Sequence, residues 1–152
     1  MIKDGLDSRD VKQGKLGDCW LLGSFLLLGT RPQLLKNLIV EGNSIKEGFA
    51  VFQFFKNGKW VPVFVDTLIP YDSSSKSIVY AQCTDSSEFW VPLMEKAYAK
   101  LHGCYEVLHG GHMPLAMVDL TGGVSYEYDL KTPDMKQSIE SGQLWKDMRK
   151  WN

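Results

Sequence analysis

QGKLGDCWLL, residues 13–22, sets a cysteine between an aspartate and a tryptophan, where a glycine-bearing turn gives way to an apolar run. Asp18 is a good helix N-cap residue. Cys19 to Leu28 then reads as a helix that is apolar on nearly every face, through Trp20, Leu21, Leu22, Phe25, Leu26, Leu27 and Leu28. Such a helix belongs inside a protein, and Gly29 and Pro32 end it. Cys19 stands in its first turn, at the positive end of the helix dipole, where free backbone N–H groups favour the thiolate. The same groups can donate to the oxyanion that forms when a thiolate attacks a carbonyl. Gln13 can supply a second donor if the Gly14–Gly17 turn folds it back toward Cys19. A buried structural cysteine opening a core helix explains the same local pattern, and inert cysteines of that kind are the commoner case.

Working outward, Gln33 to Val40 is expected to form a second, shorter helix. FAVFQFF (49–55) and WVPVFVD (60–66) flank Lys56-Asn57-Gly58-Lys59, a hairpin signal in which Asn-Gly fits a type I′ turn. Pro62 implies an exposed edge or a bulge on the second strand. The polar stretch 71–77 leads to a predicted strand at 78–82. A helix is expected over roughly 92–101, with Leu93, Met94, Ala97, Tyr98 and Leu101 as its apolar stripe and Gly103 as its stop. Residues 103–123 read as loop with a turn or two of helix. VSYEYDL (124–130) alternates like a strand. Thr132-Pro133-Asp134 opens a helical tail bearing Leu144, Trp145, Met148 and Trp151.

The chain has 152 residues, 44% hydrophobic and 23% charged, with a formal net charge of -1. That is the composition of one globular domain. Nothing in the charge points to nucleic acid or an acidic membrane surface. The apolar run 19–28 is too short to span a bilayer, and the N-terminal MIKDGLDSRD lacks a signal peptide's apolar segment. Cys19, Cys83 and Cys104 form neither a CxxC zinc pattern nor a disulfide framework, so a reducing, cytoplasmic setting is expected. Cys83 begins a polar stretch and is expected to be the more accessible of the other two thiols.

The 13–22 segment resembles the active-site stretch Q-G-x-L-G-D-C-W-[LF]-[LA] of the calpain family of cysteine proteases. EFWVPLMEKAYAKLHGCYE (88–106) is similar to that family's E-F-W-x-x-L-[LM]-E-K-A-Y-A-K, and DLTGG (119–123) to its D-[FL]-T-G-G. Residues 10–130 match in order and spacing. The resemblance implies an α+β fold, the first lobe of a papain-like cysteine protease: a buried central helix, further helices and a small antiparallel sheet. It implies Cys19 as nucleophile, Gln13 as oxyanion donor and protein substrates. In the related papain architecture the histidine and asparagine lie about 130–150 residues beyond the cysteine, in a second lobe. His102, His109 and His112 fall in no such motif and read as solvated. Residues 1–130 are therefore expected to be the nucleophile-bearing lobe. Residues 131–152 are expected to begin the linker to a second lobe that this chain lacks. A calcium-dependent endopeptidase, incomplete and inactive as this chain alone, is the expected function. The alternative is a non-catalytic calpain-like module that senses calcium or binds a protein.

The resemblance also implies a Ca2+ site using Asp10 and Glu88 with the backbone carbonyls of Lys3 and Gly5. Two carboxylates, two carbonyls and water suffice for that ion. The family's R-x-D reads Ser8-Arg9-Asp10 here, so the arginine that pairs with the second lobe in calpains has no counterpart at Ser8. Asp18 beside the nucleophile is expected to be a helix cap or a partner for nearby backbone N–H groups, Trp20 a core anchor, Trp90 a buried aromatic behind the site, and Lys15 solvated.

Overall fold

The chain's computed structural model describes residues 8–40 and 45–150. After one turn of 3-10 helix at Ser8–Asp10, strand β1 (Val11–Lys12) leads through the glycine turn into helix α1 (Cys19–Gly29) and helix α2 (Pro32–Asn37). A hairpin follows, β2 (Phe49–Lys56) and β3 (Lys59–Asp66). Then come β4 (Tyr71–Asp72), β5 (Ser77–Ile78), β6 (Gln82–Cys83) and helix α3 (Trp90–His102). Helices α4 (Met113–Thr121), α5 (Pro133–Glu140) and α6 (Gln143–Met148) complete the order. The mixture of helices with small antiparallel sheets is the expected α+β class.

The hairpin forms as its turn chemistry dictates. Asn57 and Gly58 take φ of 51° and 79°, the left-handed pair a type I′ turn needs. Phe49 faces Asp66 and Gln53 faces Pro62 in register. β2 is the inner strand, with Ala50, Phe52 and Phe54 wholly buried. Pro62 is exposed on β3, where its missing N–H breaks no further ladder.

Helix α3 lies between α1 and the hairpin. The Tyr98 ring meets Trp20 of α1 edge-on at 6.1 Å and Phe54 of β2 at 5.3 Å. Phe25 of α1 meets Trp90 at 6.5 Å. Each buried ring of this size contributes about 1.5–3 kcal/mol. The outer face of α3 is tied down by its lysines. Lys96 Nζ donates to Asp66 Oδ1 at 2.6 Å and to the Leu68 carbonyl at 2.7 Å, and Lys100 Nζ donates to the Phe64 carbonyl at 2.7 Å.

Several sequence expectations need correction. α1 is not buried all round, for Leu26 and Leu27 are 40% and 50% exposed. α2 stops at Asn37, and Ile39 instead bridges to Phe52. The strand expected at 78–82 divides: β5 pairs with β4, while β6 pairs with β1, Val11 facing Cys83. Residues 103–123 hold more helix than expected, in α4. Residues 124–130 form no strand, and Val124 and Tyr126 stay 79% and 78% exposed, because alternation alone cannot make a strand without a neighbour to pair with. In the tail, Thr132 caps α5 by accepting from the Met135 amide, and Gly142, at φ 71°, separates α5 from α6. Trp145 and Met148 are exposed, and Trp151 lies outside the described residues.

Candidate active site

Cys19 is the first residue of α1 and is exposed. The Asp18 carbonyl accepts from the Leu21 and Leu22 amides at 2.9 and 3.1 Å. Helix geometry leaves the N–H groups of the first residues, Cys19 and Trp20, without intrahelical acceptors. These are the donors and the dipole that a thiolate and an oxyanion call for. The Trp20 ring is part-buried, with Nε1 donating to the Leu108 carbonyl at 2.9 Å, which anchors the helix start to the segment after α3.

The turn before Cys19 is held on three sides. Gln13 Nε2 donates to the Leu16 carbonyl at 2.8 Å and closes the turn on itself. The Lys15 amide donates to the Val79 carbonyl at 2.9 Å, and the Gly110 amide to the Gly17 carbonyl at 2.9 Å. Glycine is required by crowding. A methyl on Gly14 would stand 2.2 Å from the Tyr80 carbonyl oxygen, and one on Gly17 would stand 2.8 Å from the His109 ring. Lys15 is solvated as expected, its Nζ 2.8 Å from Asp72 Oδ2.

Asp18 departs from expectation. It occupies the N-cap position, yet its side chain makes no capping hydrogen bond and is wholly buried. It faces Glu95, also wholly buried, which comes from α3. Glu95 Oε2 accepts from the Ala81 amide at 3.0 Å. Among the described residues no protein donor reaches Asp18 Oδ1 or Oδ2, or Glu95 Oε1. Burial raises the affinity of both carboxyls for a proton, and the neighbouring Asp18 pushes Glu95 up further. Sequence reasoning assigned Glu95 no role. Its signal was weak, for at helical spacing Glu95 falls just beyond the Tyr98 edge of the α3 stripe, where a solvated carboxylate is the usual reading, and only packing buries it.

The other thiols differ from what the sequence suggested. Cys83 is buried, and burial, with smaller contributions from the charges of Glu88 and Asp10, pushes its thiol up to about 11. Cys104 is the other exposed cysteine. Trp90 is wholly buried, as expected.

The three histidines take separate places. His109 packs on Gly17, and His112 immediately precedes α4. His102 Nε2 lies 3.5 Å from Asp119 Oδ2, a contact too long for a good hydrogen bond. Asp119 also accepts from the Tyr98 hydroxyl at 2.7 Å and pairs with Lys56 at 2.5 Å. Burial alone would raise Asp119, but its His102, Lys56 and Tyr98 neighbours outweigh that and hold it below the usual carboxylate range. This network borders a cavity of about 290 Å³ that Trp20, Gly111 and His112 also line.

Asp10 and Glu88 flank the β1–β6 pair, one before β1 and the other between β6 and α3. Asp10 precedes β1, and its carbonyl accepts from the Thr84 amide at 2.8 Å. Glu88 is only 4% exposed and precedes α3. The charges of both reach the Cys83 thiol. No group of three or more His, Cys, Asp or Glu side chains suited to a metal occurs among the described residues. Lys3 and Gly5 lie outside those residues. No described helix is long and apolar enough to cross a membrane.

The profile of the calpain family cysteine proteases matches residues 1–152. The chain belongs to the calpain family. It is 40% identical over 148 residues to the calpain-type cysteine protease DEK1 of Zea mays, covering 97% of this chain and 7% of that protein. It is 44% identical over 126 residues to calpain-12 of Mus musculus, covering 81% and 17%. To the calpain-1 catalytic subunit of Gallus gallus it is 41% identical over 153 residues, covering 94% and 21%. This calpain chain thus spans about a fifth or less of the length of these relatives.

Proposed function

We propose that the chain is the nucleophile-bearing lobe of a calpain-type, calcium-dependent cysteine endopeptidase, and that residues 131–152 lead toward a second lobe. The observation that supports this best is the exposed Cys19 at the first position of α1, beside a turn locked by Gly14 and Gly17. In this reading the Cys19 thiolate attacks the scissile carbonyl carbon. The Cys19 amide and the Gln13 side-chain amide donate to the oxyanion. The C–N bond breaks, the amine leaves with a proton from a general acid outside this lobe, and water then hydrolyses the thioester.

Asp10 and Glu88 supply the carboxylates for Ca2+ in this reading. Their hard oxygen donors suit that ion, and β1–β6 pairing already brings their segments together. A bound ion would neutralise two like charges and tie the strand before the Gln13 turn to the start of α3.

The test is limiting alkylation of the chain with iodoacetamide at neutral pH, with adducts mapped by mass spectrometry. Cys19 should label first, Cys104 more slowly and buried Cys83 last. Preferential labelling of Cys104 would return Cys19 to a structural role. Incubated with an unstructured protein and calcium, the chain alone should show no turnover. Turnover that Cys19→Ala abolishes would place the base among His102, His109 and His112.

A further inference from the structure

At Asp18, the residue before Cys19, two wholly buried carboxyl groups face each other, Asp18 and Glu95, and neither is in an ion pair among the described residues. A buried charge is normally paired, and a buried polar atom normally finds a partner. Here three carboxyl oxygens have no protein donor, Asp18 Oδ1 and Oδ2 and Glu95 Oε1. One proton held between the groups satisfies the facing oxygens at once, making one carboxyl a donor and leaving a single negative charge on the pair.

Glu95 also joins two parts of the site. Its Oε2 holds the Ala81 amide at 3.0 Å. Ala81 follows Tyr80, on whose backbone Gly14 rests, and Val79, whose carbonyl holds Lys15. Through Asp18 the same side chain reaches the residue before the nucleophile. One carboxyl group therefore sits under both the Gln13 turn and the start of α1.

Resting on the nucleophile reading above, we propose that Glu95 is a positioning residue for Cys19: its carboxyl shares one proton with Asp18 and fixes the helix start against the 13–17 turn. The groups around it leave it that proton. The Glu95 charge reaches Tyr80 of the 79–81 segment and Tyr105 beyond α3, two rings that stack at 3.9 Å. On α3 itself Lys96 is turned away to Asp66 and Tyr98 to Asp119. Lys15, on the turn, is engaged by Asp72.

The linkage has a definite sign. Glu95 is raised from 4.5 to about 9, by burial first and by Asp18 second. The fold keeps a proton that the unfolded chain releases above 4.5, so this group's contribution is full below 4.5 and drains away as pH climbs toward about 9.

Carbon-13 NMR of carboxyl-labelled chain, with the Glu95 signal assigned by its loss in Glu95→Gln, tests the shared proton. A protonated Glu95 at pH near 7 is expected, and an ionised one would overturn the proposal. Glu95→Gln can accept from Ala81 and donate to Asp18, so its melting temperature should fall less than the unaltered chain's as pH rises through that window. An equal fall would overturn the proposal.

For positioning, Cys19 alkylation is followed against pH with Cys104 as internal reference. Glu95→Leu strands Asp18 without its donor and should slow Cys19 labelling about tenfold, the size of a lost hydrogen bond to a charged group. Glu95→Gln should restore the rate to within about twofold. An unchanged Cys19 profile in Glu95→Leu would reduce Glu95 to a structural role. If Glu95→Leu fails to fold, the NMR result and the Glu95→Gln melting profile decide. Labelling that prefers Cys104 in the unaltered chain would overturn the nucleophile reading itself. An ionised Glu95 with Cys19 labelling intact would overturn this inference alone.

Discussion

At the scale of single residues the site depends on what is absent from two positions. Gly14 and Gly17 have no side chain because the Tyr80 backbone and the His109 ring occupy that space. The two differ in what could yield. A backbone carbonyl at 2.2 Å cannot rotate away, whereas the His109 ring is itself a side chain with rotamers of its own. Gly14→Ala should therefore cost the more, about 1–3 kcal/mol as for other overpacked sites. Chemical denaturation should read that loss, and Cys19 alkylation should slow with it. Gly17→Ala should cost less by the same measurement. The reverse order would mean that the 79–81 segment shifts freely, and that it does not anchor the Gln13 turn. The sequence could announce glycines near a cysteine, but it could not say which neighbour each one accommodates. Tyr80 and His109 are remote in the chain, and only folding brings them there.

At the scale of elements, α1 shows how far apolar content can be read. Its composition predicted burial on every face, yet Phe25 is wholly buried while Leu27 is half exposed. A helix in a lobe with partners on some sides only can place leucine on the open side at little cost, since much folded surface is apolar anyway. Phe25→Ala should lose about 3–5 kcal/mol, because the ring fills space against Trp90. Leu27→Ala should stay near the ±0.5 kcal/mol of ordinary surface changes. Equal losses in urea melts of the two variants would show Leu27 to be covered in solution. The β2–β3 hairpin was legible because Asn57-Gly58 encodes its own turn locally. The 78–82 segment was not, because its two ends pair with β4 and β1, partners set by tertiary placement. The 124–130 segment carries the alternation of a strand and remains single for the same reason.

At the scale of the whole molecule, the segments at Asp10 and Glu88 lie far apart in sequence, and β1–β6 pairing draws them toward each other, with the Thr84 amide donating to the Asp10 carbonyl. If they hold Ca2+, millimolar calcium should raise the melting temperature, as any ligand that binds only the folded state must. Asp10→Ala and Glu88→Ala should each abolish the rise, and magnesium should not reproduce it. A shift surviving in both variants would place the ion elsewhere. By itself the sequence determined the α+β class, the hairpin, the cysteine at the start of α1 and the family, through the residues at 13–22, 88–106 and 119–123. These are local patterns or motifs, readable without knowing what packs against what. Tertiary structure alone decided that Asp18 turns inward to Glu95 instead of capping its helix, that Cys83 is buried while Cys104 is open, and that Asp119 gathers Lys56, Tyr98 and His102. Each of those outcomes depends on which distant groups share a buried space. There desolvation and the supply of hydrogen-bond partners, not the propensity of the residue, set what a side chain does.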